Sequence, residues 1–549
     1  LHPILNDKYP MVPFFLILYV LMGFNCPMTP PAHVQEILTP HKIPGIIPQP
    51  VAIKLSDNWT KTNSFPVFIY DHNFEKDPAR NFKTTLRYLK TDLSNALQIY
   101  VNKSDTISHN DGYHLSIKDN EIEILYSSEA SAFYAFQSLI QLVPLEFLTV
   151  DSTLLQLPMG EIYDYPRFSY RGMHLDESRH FFGSEAVKKY IDMLAYQKMN
   201  YFHWHLTDDQ GWRIEIKAFP KLTSVGGCRE ATLVGRAGAK PEVYDGVEYC
   251  HFYTQKEIKE IIDYAADNYI TIVPEIEMPG HATAALAAYP MLSCSDKKII
   301  TTQKWGVFYD IFCPTEETFG FLEKVLTEVI DLFPGPYIHI GGDEVPKKAW
   351  KESAFCQELI KRNKLKDENE LQSWFIQRIE KFVNSKGKKI IGWDEILEGG
   401  LAPNATVMSW RGEKGGLTAA NQGHDVIMTP NDECYFDHYQ MKDALQPLAI
   451  GGLTTLKDVY DYEPIPSGLN LGMEKHILGT QANLWAEYIL TPEHLQYMAY
   501  PRSFALAEVQ WSSKSGKNYT DFLHRLSYQI ERLDSWKINY AKFYKTELK

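Results

Sequence analysis

The sequence predicts an α/β protein: a (β/α)8 TIM barrel preceded by a small α+β domain and followed by a C-terminal helical extension. Three observations point there. From about Arg167 the chain repeats a strand, loop, helix pattern through eight strand-like runs over roughly 345 residues. Helix-start signals follow several of those runs. No Gly-x-Gly-x-x-Gly turn opens a helix after the first strand, which weakens the competing reading of an open doubly wound sheet.

Residues 1–26 read as a signal-peptide-like segment. The apolar run from Met11 to Gly23 is too short to span a bilayer and fits an h-region, although Lys8 is the only basic residue before it. Residues 27–45 are a Pro-rich linker. Cys26 falls where a lipid-modified cysteine would sit, but Gly23-Phe24-Asn25 makes a poor lipobox. Export to a periplasm, a cell surface or the medium is the expectation.

Residues 46–165 form the small α+β unit. Strand-like runs stand at Phe65–Tyr70, Tyr113–Lys118 and Glu121–Tyr126, with helical stretches near Ala79–Leu97 and Ser128–Val143. In the second helix Ala132, Ala135, Phe136, Leu139 and Ile140 share one face. Asp164-Tyr165-Pro166 ends the unit.

Residues 166–511 form the barrel. Its eight runs are Tyr170–Leu175, Asn200–Leu206, Ile270–Glu275, Tyr337–Gly341, Lys389–Trp393, Thr406–Trp410, Asp425–Met428 and Ile477–Trp485. Ser184 is placed to cap a helix bearing Val187, Ile191, Leu194 and Ala195. Thr254 to Glu257 spells a capping box, and Thr491-Pro492 puts Pro at a first helical position. In residues 512–549 an apolar stripe of Phe522, Leu523, Leu526, Ile530 and Leu533 would pack back on the barrel.

Composition narrows the function. Hydrophobic residues at 44% and charged residues at 23% exclude a mainly disordered chain and a coiled coil. Lys+Arg 55 against Asp+Glu 69 gives −14, and no basic run offsets it, so nucleic acid is a poor partner. Thirty-three Tyr and 11 Trp suit stacking on sugar rings, or simply a large core. Of seven Cys, Cys26 is the odd one out. Cys228 with Cys250 and Cys294 with Cys313 are local pairing candidates, buried free thiols being the alternative. No Cys-x-x-Cys invites zinc. Four sequons, at Asn58, Asn102, Asn404 and Asn518, matter only in a eukaryotic secretory host.

Catalytic groups of such a barrel stand at the C-terminal ends of its strands. Those ends supply, in order, Asp176 and Arg179; His205, Asp208 and Asp209; Glu275, Glu277 and His281; Asp343 and Glu344; Trp393; Trp410; Tyr435, Asp437 and Tyr439; Trp485 and Glu487. Carboxylates with Trp, Tyr and one Arg suit general acid/base work on a neutral hydroxylated substrate. Ser and Cys lack a partner His in any recognisable elbow, which disfavours acyl transfer. The sharpest signal is His339-Ile340-Gly341-Gly342-Asp343-Glu344: a strand, two glycines, two adjacent acids. Adjacent carboxylates repel, so one tends to keep a proton, as a general acid must. Elsewhere such a pair would be a solvated helix start. His203 and His205 share a strand face and are weighed as metal ligands, below hydrogen-bonded core histidines. Trp393, Trp410 and Trp485, from three strands of one barrel face, could wall a pocket.

Several long motifs, in order, resemble the family 20 glycoside hydrolases, the β-N-acetylhexosaminidases. They are Arg171 to His180, Phe202 to Asp209, Pro274 to His281, Ile340 to Glu344, and Gly479 to Glu487, with Trp410 and Tyr435. The likeness runs from about residue 46, where Ile46-Ile47-Pro48-Gln49-Pro50 looks like the start of the family's N-terminal domain, and its wording is closer to the bacterial branch. The resemblance implies an exo-acting, retaining, substrate-assisted glycosidase, one of the exceptions to the two-carboxylate scheme. It makes Glu344 the general acid and base, and Asp343 the group that orients the 2-acetamido group. Tyr435 donates to the acetamido oxygen, and Trp393, Trp410 and Trp485 enclose the methyl and sugar face. Arg179 and Glu487 hold non-reducing-end hydroxyls, Asp437 contacts outer hydroxyls, and Asp208 with His281 supports the catalytic acids. It implies no cofactor and no metal. The partners would be glycans ending in N-acetylhexosamine. Two competing readings are a metal-dependent barrel hydrolase using His203 and His205, and a silent carbohydrate-binding barrel.

Overall fold

The computed structural model describes residues 45–92, 96–149, 153–442 and 445–547. The signal-like segment, the linker up to residue 44 and Cys26 lie outside the described residues. Among the described residues no helix is long and apolar enough to cross a membrane.

The small domain is a six-stranded sheet: β1 (Ala52–Thr62), β2 (Val67–Tyr70), β3 (Gln98–Lys103), β4 (Tyr113–Lys118), β5 (Glu121–Tyr126) and β6 (Leu155–Asp164), in the order β1-β6-β4-β5-β3-β2. Strands β4 and β5 match the sequence pattern because Ile122, Ile124 and Tyr126 alternate inward. One face is covered by the helix Glu129–Leu142, whose N-cap Ser128 forms a reciprocal capping box with Ser131.

Three of these strands escape the sequence pattern. β1 is a sheet-edge strand, mostly exposed, with polar residues on both faces. β6 carries Pro158 and Gly160 opposite a register shift between Leu55 and Trp59. The expected helix over Ala79–Leu97 contracts to Arg80–Thr85, because the Lys90 carbonyl accepts from Phe65 N at 2.7 Å and the chain then enters β3.

The barrel strands are β7 (Tyr170–Asp176), β8 (Tyr201–His205), β9 (Thr271–Glu275), β10 (Tyr337–His339), β11 (Lys389–Trp393), β12 (Thr406–Ser409), β13 (Val426–Met428) and β14 (Ile477–Ala482). They close into one parallel ring, each strand paired with its neighbour in sequence and β14 with β7. Three expected strands end early, at His339, Ser409 and Ala482, because the chain leaves the ladder where it delivers side chains to the rim. Inside the ring, Tyr170 and Tyr201 stack at 4.3 Å near the strand starts, and Val273, Ile391, Met408 and Ile427 fill the middle.

The helix expected to start at an N-cap Ser184 includes that residue; its N-cap is Gly183 at φ +83, and Glu177 Oε1 accepts the Phe182 and Gly183 amides. Thr254 and Glu257 do form the capping box, and Pro492 stands at the first turn after Thr491. The C-terminal helix Tyr519–Ser535 buries Phe522, Leu526, Ile530 and Leu533. It joins the domains through polar contacts: Arg525 pairs with Glu508 at 2.6 Å and donates to Ile46 O, and Arg532 donates to Gln141 O and Val143 O. Asp164, fully buried, ties β6 to the barrel through Lys198 Nζ and Trp511 Nε1, both at 2.8 Å. Both expected cysteine pairs are bonded, Cys228–Cys250 and Cys294–Cys313; Cys356 and Cys434 are buried free thiols.

Candidate active site

Register brings four polar side chains level at the strand ends: Asp176 stands opposite His205, His205 opposite Glu275, and Glu275 opposite His339. Glu275 is fully buried, which alone would raise its pKa. Three histidines outweigh that and hold it well below the usual carboxylate range. His339 Nδ1 lies at 2.7 Å, His203 Nε2 at 3.2 Å, and His205 Nδ1 makes a short hydrogen bond to it. Trp393 Nε1 donates at 2.8 Å to Oε1, the oxygen that His339 faces, while His203 and His205 face Oε2. His203, His339 and Glu275 have the spacing of a metal-ligand set. Yet all three are fully buried, and two of the histidine nitrogens are already engaged, His339 Nδ1 accepting from Gly341 N at 3.1 Å and His203 Nδ1 from Gln481 Nε2 at 3.0 Å. The His203 and His205 pair therefore works as a post that holds the Trp393 wall from below.

Past His339 the backbone turns left-handed at Gly341 (φ +67) and Gly342 (φ +92). A Cβ on Gly341 would fall 1.7 Å from Glu277 Oε2, so only glycine fits. Glu344 is itself left-handed at φ +47, an uncommon state for a side-chain-bearing residue. Its side chain is 39% exposed against 13% for Asp343.

His281, also left-handed, lies among four carboxylates. Its Nε2 is 3.6 Å from Asp343 and 3.5 Å from Glu344, and its Nδ1 is 3.2 Å from Asp208 and 3.0 Å from Asp209. Burial would lower its pKa, but Asp208 and Asp343 outweigh burial and raise it well above the ordinary value, so the ring is an imidazolium. Burial pushes Asp343 up to about 6, with His281 opposing and Glu275 and Glu344 adding to the rise. Glu344 is lowered, chiefly by its contact with His281. In the free site the shared proton therefore favours Asp343, because Asp343 is the drier of the two.

All eleven site residues expected from the sequence line one cavity of about 490 Å³. They are Arg179, Asp208, His281, Asp343, Glu344, Trp393, Trp410, Tyr435, Asp437, Trp485 and Glu487. Trp393 and Trp485 have ring centroids 5.7 Å apart, and Trp410 and Tyr435 stack at 6.1 Å. Tyr435 is set by a bridge to Asn483 beyond β14, and burial keeps its phenol protonated. Arg179 donates to Asp176 at 3.1 Å and to Gln210 at 2.8 Å, pairs with Asp208 at 2.8 Å, lies 3.9 Å from Glu487 and sits over the Trp485 ring. Asp343 Oδ1, His281 Nε2, Asp437 Oδ1 and Glu487 Oε2 are buried with no hydrogen-bond partner among the described residues. Polar atoms left free around an aromatic cavity are what a hydroxylated, flat-faced ligand requires.

The same cavity is lined by Trp305, Val307, His438, Ile450 and Tyr488, which the sequence reading did not single out. They sit on loops without a repeating pattern; the two bonded cysteines bracketing Trp305 were the available signal. Glu395 was also missed. It accepts from Trp410 Nε1 at 2.9 Å, and burial followed by Asp343 raises it to about 8.

The chain matches the family model "Glycosyl hydrolase family 20, catalytic domain" over residues 168–514 and "Glycosyl hydrolase family 20, domain 2" over residues 43–165. It is 45% identical over 511 residues to a beta-hexosaminidase of Porphyromonas gingivalis, a match covering 90% of this chain. The chain spans 64% of that relative's length. Among solved structures, a Bacteroides fragilis beta-N-acetylhexosaminidase aligns with TM-score 0.76 at 33% identity, over 90% of this chain and 96% of that one. A Vibrio harveyi exo beta-N-acetylglucosaminidase in complex with N-acetylglucosamine aligns with TM-score 0.78 at 32% identity, over 91% and 78%. The barrel, the domain before it and the acid pair after β10 thus fall together under one classification: the chain belongs to glycosyl hydrolase family 20.

Proposed function

We propose that this protein is an exo-acting, retaining β-N-acetylhexosaminidase that releases terminal non-reducing β-linked GlcNAc or GalNAc. The observation that carries the proposal is one cavity holding Asp343, Glu344, Tyr435 and three tryptophans. An N-acetyl sugar brings its own nucleophile, the amide oxygen, at high effective concentration. The protein then needs an acid, a carboxylate to steer the amide, and a dry box around the methyl.

In this reading the acetamido N–H donates to Asp343. That hydrogen bond favours the charged carboxylate, while the leaving group covers Glu344 and takes water from it. Both effects move the proton from Asp343 to Glu344, where the leaving oxygen needs it. Tyr435, kept as a phenol, donates to the acetamido oxygen as it attacks the anomeric carbon. An oxazolinium ring forms, and Asp343 balances the charge developing on its nitrogen. Glu344, now ionised, takes the proton of the incoming water, and a second displacement restores the β configuration. Asp208 and the His281 imidazolium fix the acid pair from behind. Arg179, Glu487 and Asp437 hold the outer hydroxyls, which supports exo action.

The two bonded cysteine pairs support an oxidising, exported location. Hydrolysis of aryl β-GlcNAc, aryl β-GalNAc and an aryl β-glucoside, side by side, tests the proposal. Cleavage of the acetamido sugars alone is expected. Comparable cleavage of the glucoside would mean a protein nucleophile and would defeat the reading.

A further inference from the structure

The Cys294–Cys313 disulfide closes the loop that carries Trp305 and Val307 to the cavity wall. A third sulfur touches it. Cys356 Sγ lies 3.4 Å from Cys294 Sγ, and the three sulfur atoms lie within 4.8 Å of one another. Cys356 stands in the first turn of the helix Ala354–Arg362, 12 residues past Glu344. The sulfurs share a small apolar cluster, separate from the main core, with Ile311, Trp350 and Leu359, and Val345 packs against it. Trp350 Nε1 donates to Phe312 O at 3.0 Å. This cluster therefore joins the Trp305 loop to the segment that follows Glu344. Among the described residues the only other free thiol, Cys434, meets Thr480 and not the Cys228–Cys250 disulfide.

We infer that Cys294, Cys313 and Cys356 form a thiol–disulfide exchange site in which Cys294 pairs alternately with Cys313 and with Cys356. The Cys356 thiolate attacks Cys294 Sγ. The Cys294–Cys313 bond breaks as the Cys294–Cys356 bond forms. Cys313 leaves as a thiolate and takes up the proton that Cys356 gave up, so no oxidant or reductant enters. In the first pairing the Trp305 loop is closed on itself. In the second its N-terminal end is fastened to the helix behind Glu344, and Cys313 is released. Burial raises the Cys356 thiol, so exchange quickens as pH rises.

The test holds the folded wild-type protein at pH 8.5, quenches it in acid, alkylates it in denaturant at low pH, and maps peptides without reduction. The expected result is a Cys294–Cys356 peptide pair, with Cys313 alkylated in equal amount. Cys294 found only with Cys313, and Cys356 alone of the three alkylated, would overturn the inference. The Cys313→Ser variant, purified with oxidised glutathione, gives an independent check. A Cys294–Cys356 bond is expected, whereas a glutathionyl Cys294 beside an unmodified Cys356 would contradict it. Both readouts are independent of any activity.

Discussion

The indole nitrogen of Trp393 donates a 2.8 Å hydrogen bond to the buried carboxylate of Glu275, so one wall of the candidate cavity is held from inside the barrel. Trp393→Phe keeps the apolar face and loses that tether. A wall that shifts out of place loses contact with the transition state, so kcat/KM on an aryl GlcNAc should fall on the order of tenfold. One buried hydrogen bond to a charged group is worth about 1.5–3 kcal/mol of stability, so the melting temperature should also fall by a few degrees. An unchanged kcat/KM would mean the wall keeps its place without the bond.

The pH profile follows from the acid pair. The working form carries one proton between Asp343 and Glu344. Above about pH 6 the pair loses that proton, because Asp343 holds it only to about 6. Below the lowered Glu344 value the pair gains a second one. kcat/KM should therefore peak on the acid side of neutrality and fall about tenfold per pH unit above its upper limb. A flat profile between pH 6 and 8 would contradict this assignment.

The raised Asp343 also costs stability. Its folded value of about 6 exceeds the unfolded 3.8, so between those values the folded state binds more protons. Stability attributable to this group falls as pH rises from about 4 to 6 and stays lost above. Asp343→Asn removes that cost. The variant should melt higher than wild type at pH 7.5 and level with it near pH 3.5, while kcat drops on the order of 10²-fold. A lower melting point at pH 7.5 would show that the ionised aspartate carries no such cost.

Glu344→Gln keeps the shape of the side chain and removes the transferable proton. Sugar binding should persist and kcat should fall on the order of 10²–10⁴-fold, with a smaller loss for leaving groups that need no protonation. Steady-state kinetics on a disaccharide beside a nitrophenyl glycoside measures this. Equal losses on both would place Glu344 outside the leaving-group step.

Arg179→Lys replaces a fork that reaches Asp176, Asp208 and Gln210 with a single ammonium. The account predicts a rise in KM, with kcat/KM down on the order of 10–100-fold. A loss confined to kcat would instead tie Arg179 to the chemical step.

The barrel was legible because its strands are buried on both faces and bounded by turns, and Lys389–Trp393 was read to the residue. The small domain was harder. β1 is an edge with no buried face to impose alternation, and β6 is broken by Pro158 and Gly160. The eleven site residues could be read because barrel geometry sends strand ends to one rim. Trp305, Val307 and Ile450 could not, since their loops reach the cavity by tertiary packing and a disulfide. The proton balance was equally hidden. Sequence shows two adjacent acids, but burial and the position of His281 decide that Asp343 is the one raised.

The central claim is that the amide oxygen of the substrate is the nucleophile. The direct test is kcat/KM on aryl β-glucosaminides whose N-acyl group carries zero, one, two or three fluorines. Each fluorine withdraws electrons from the amide oxygen. The account predicts a steep, monotonic fall across the series. A flat series would place the nucleophile on the protein and contradict the account.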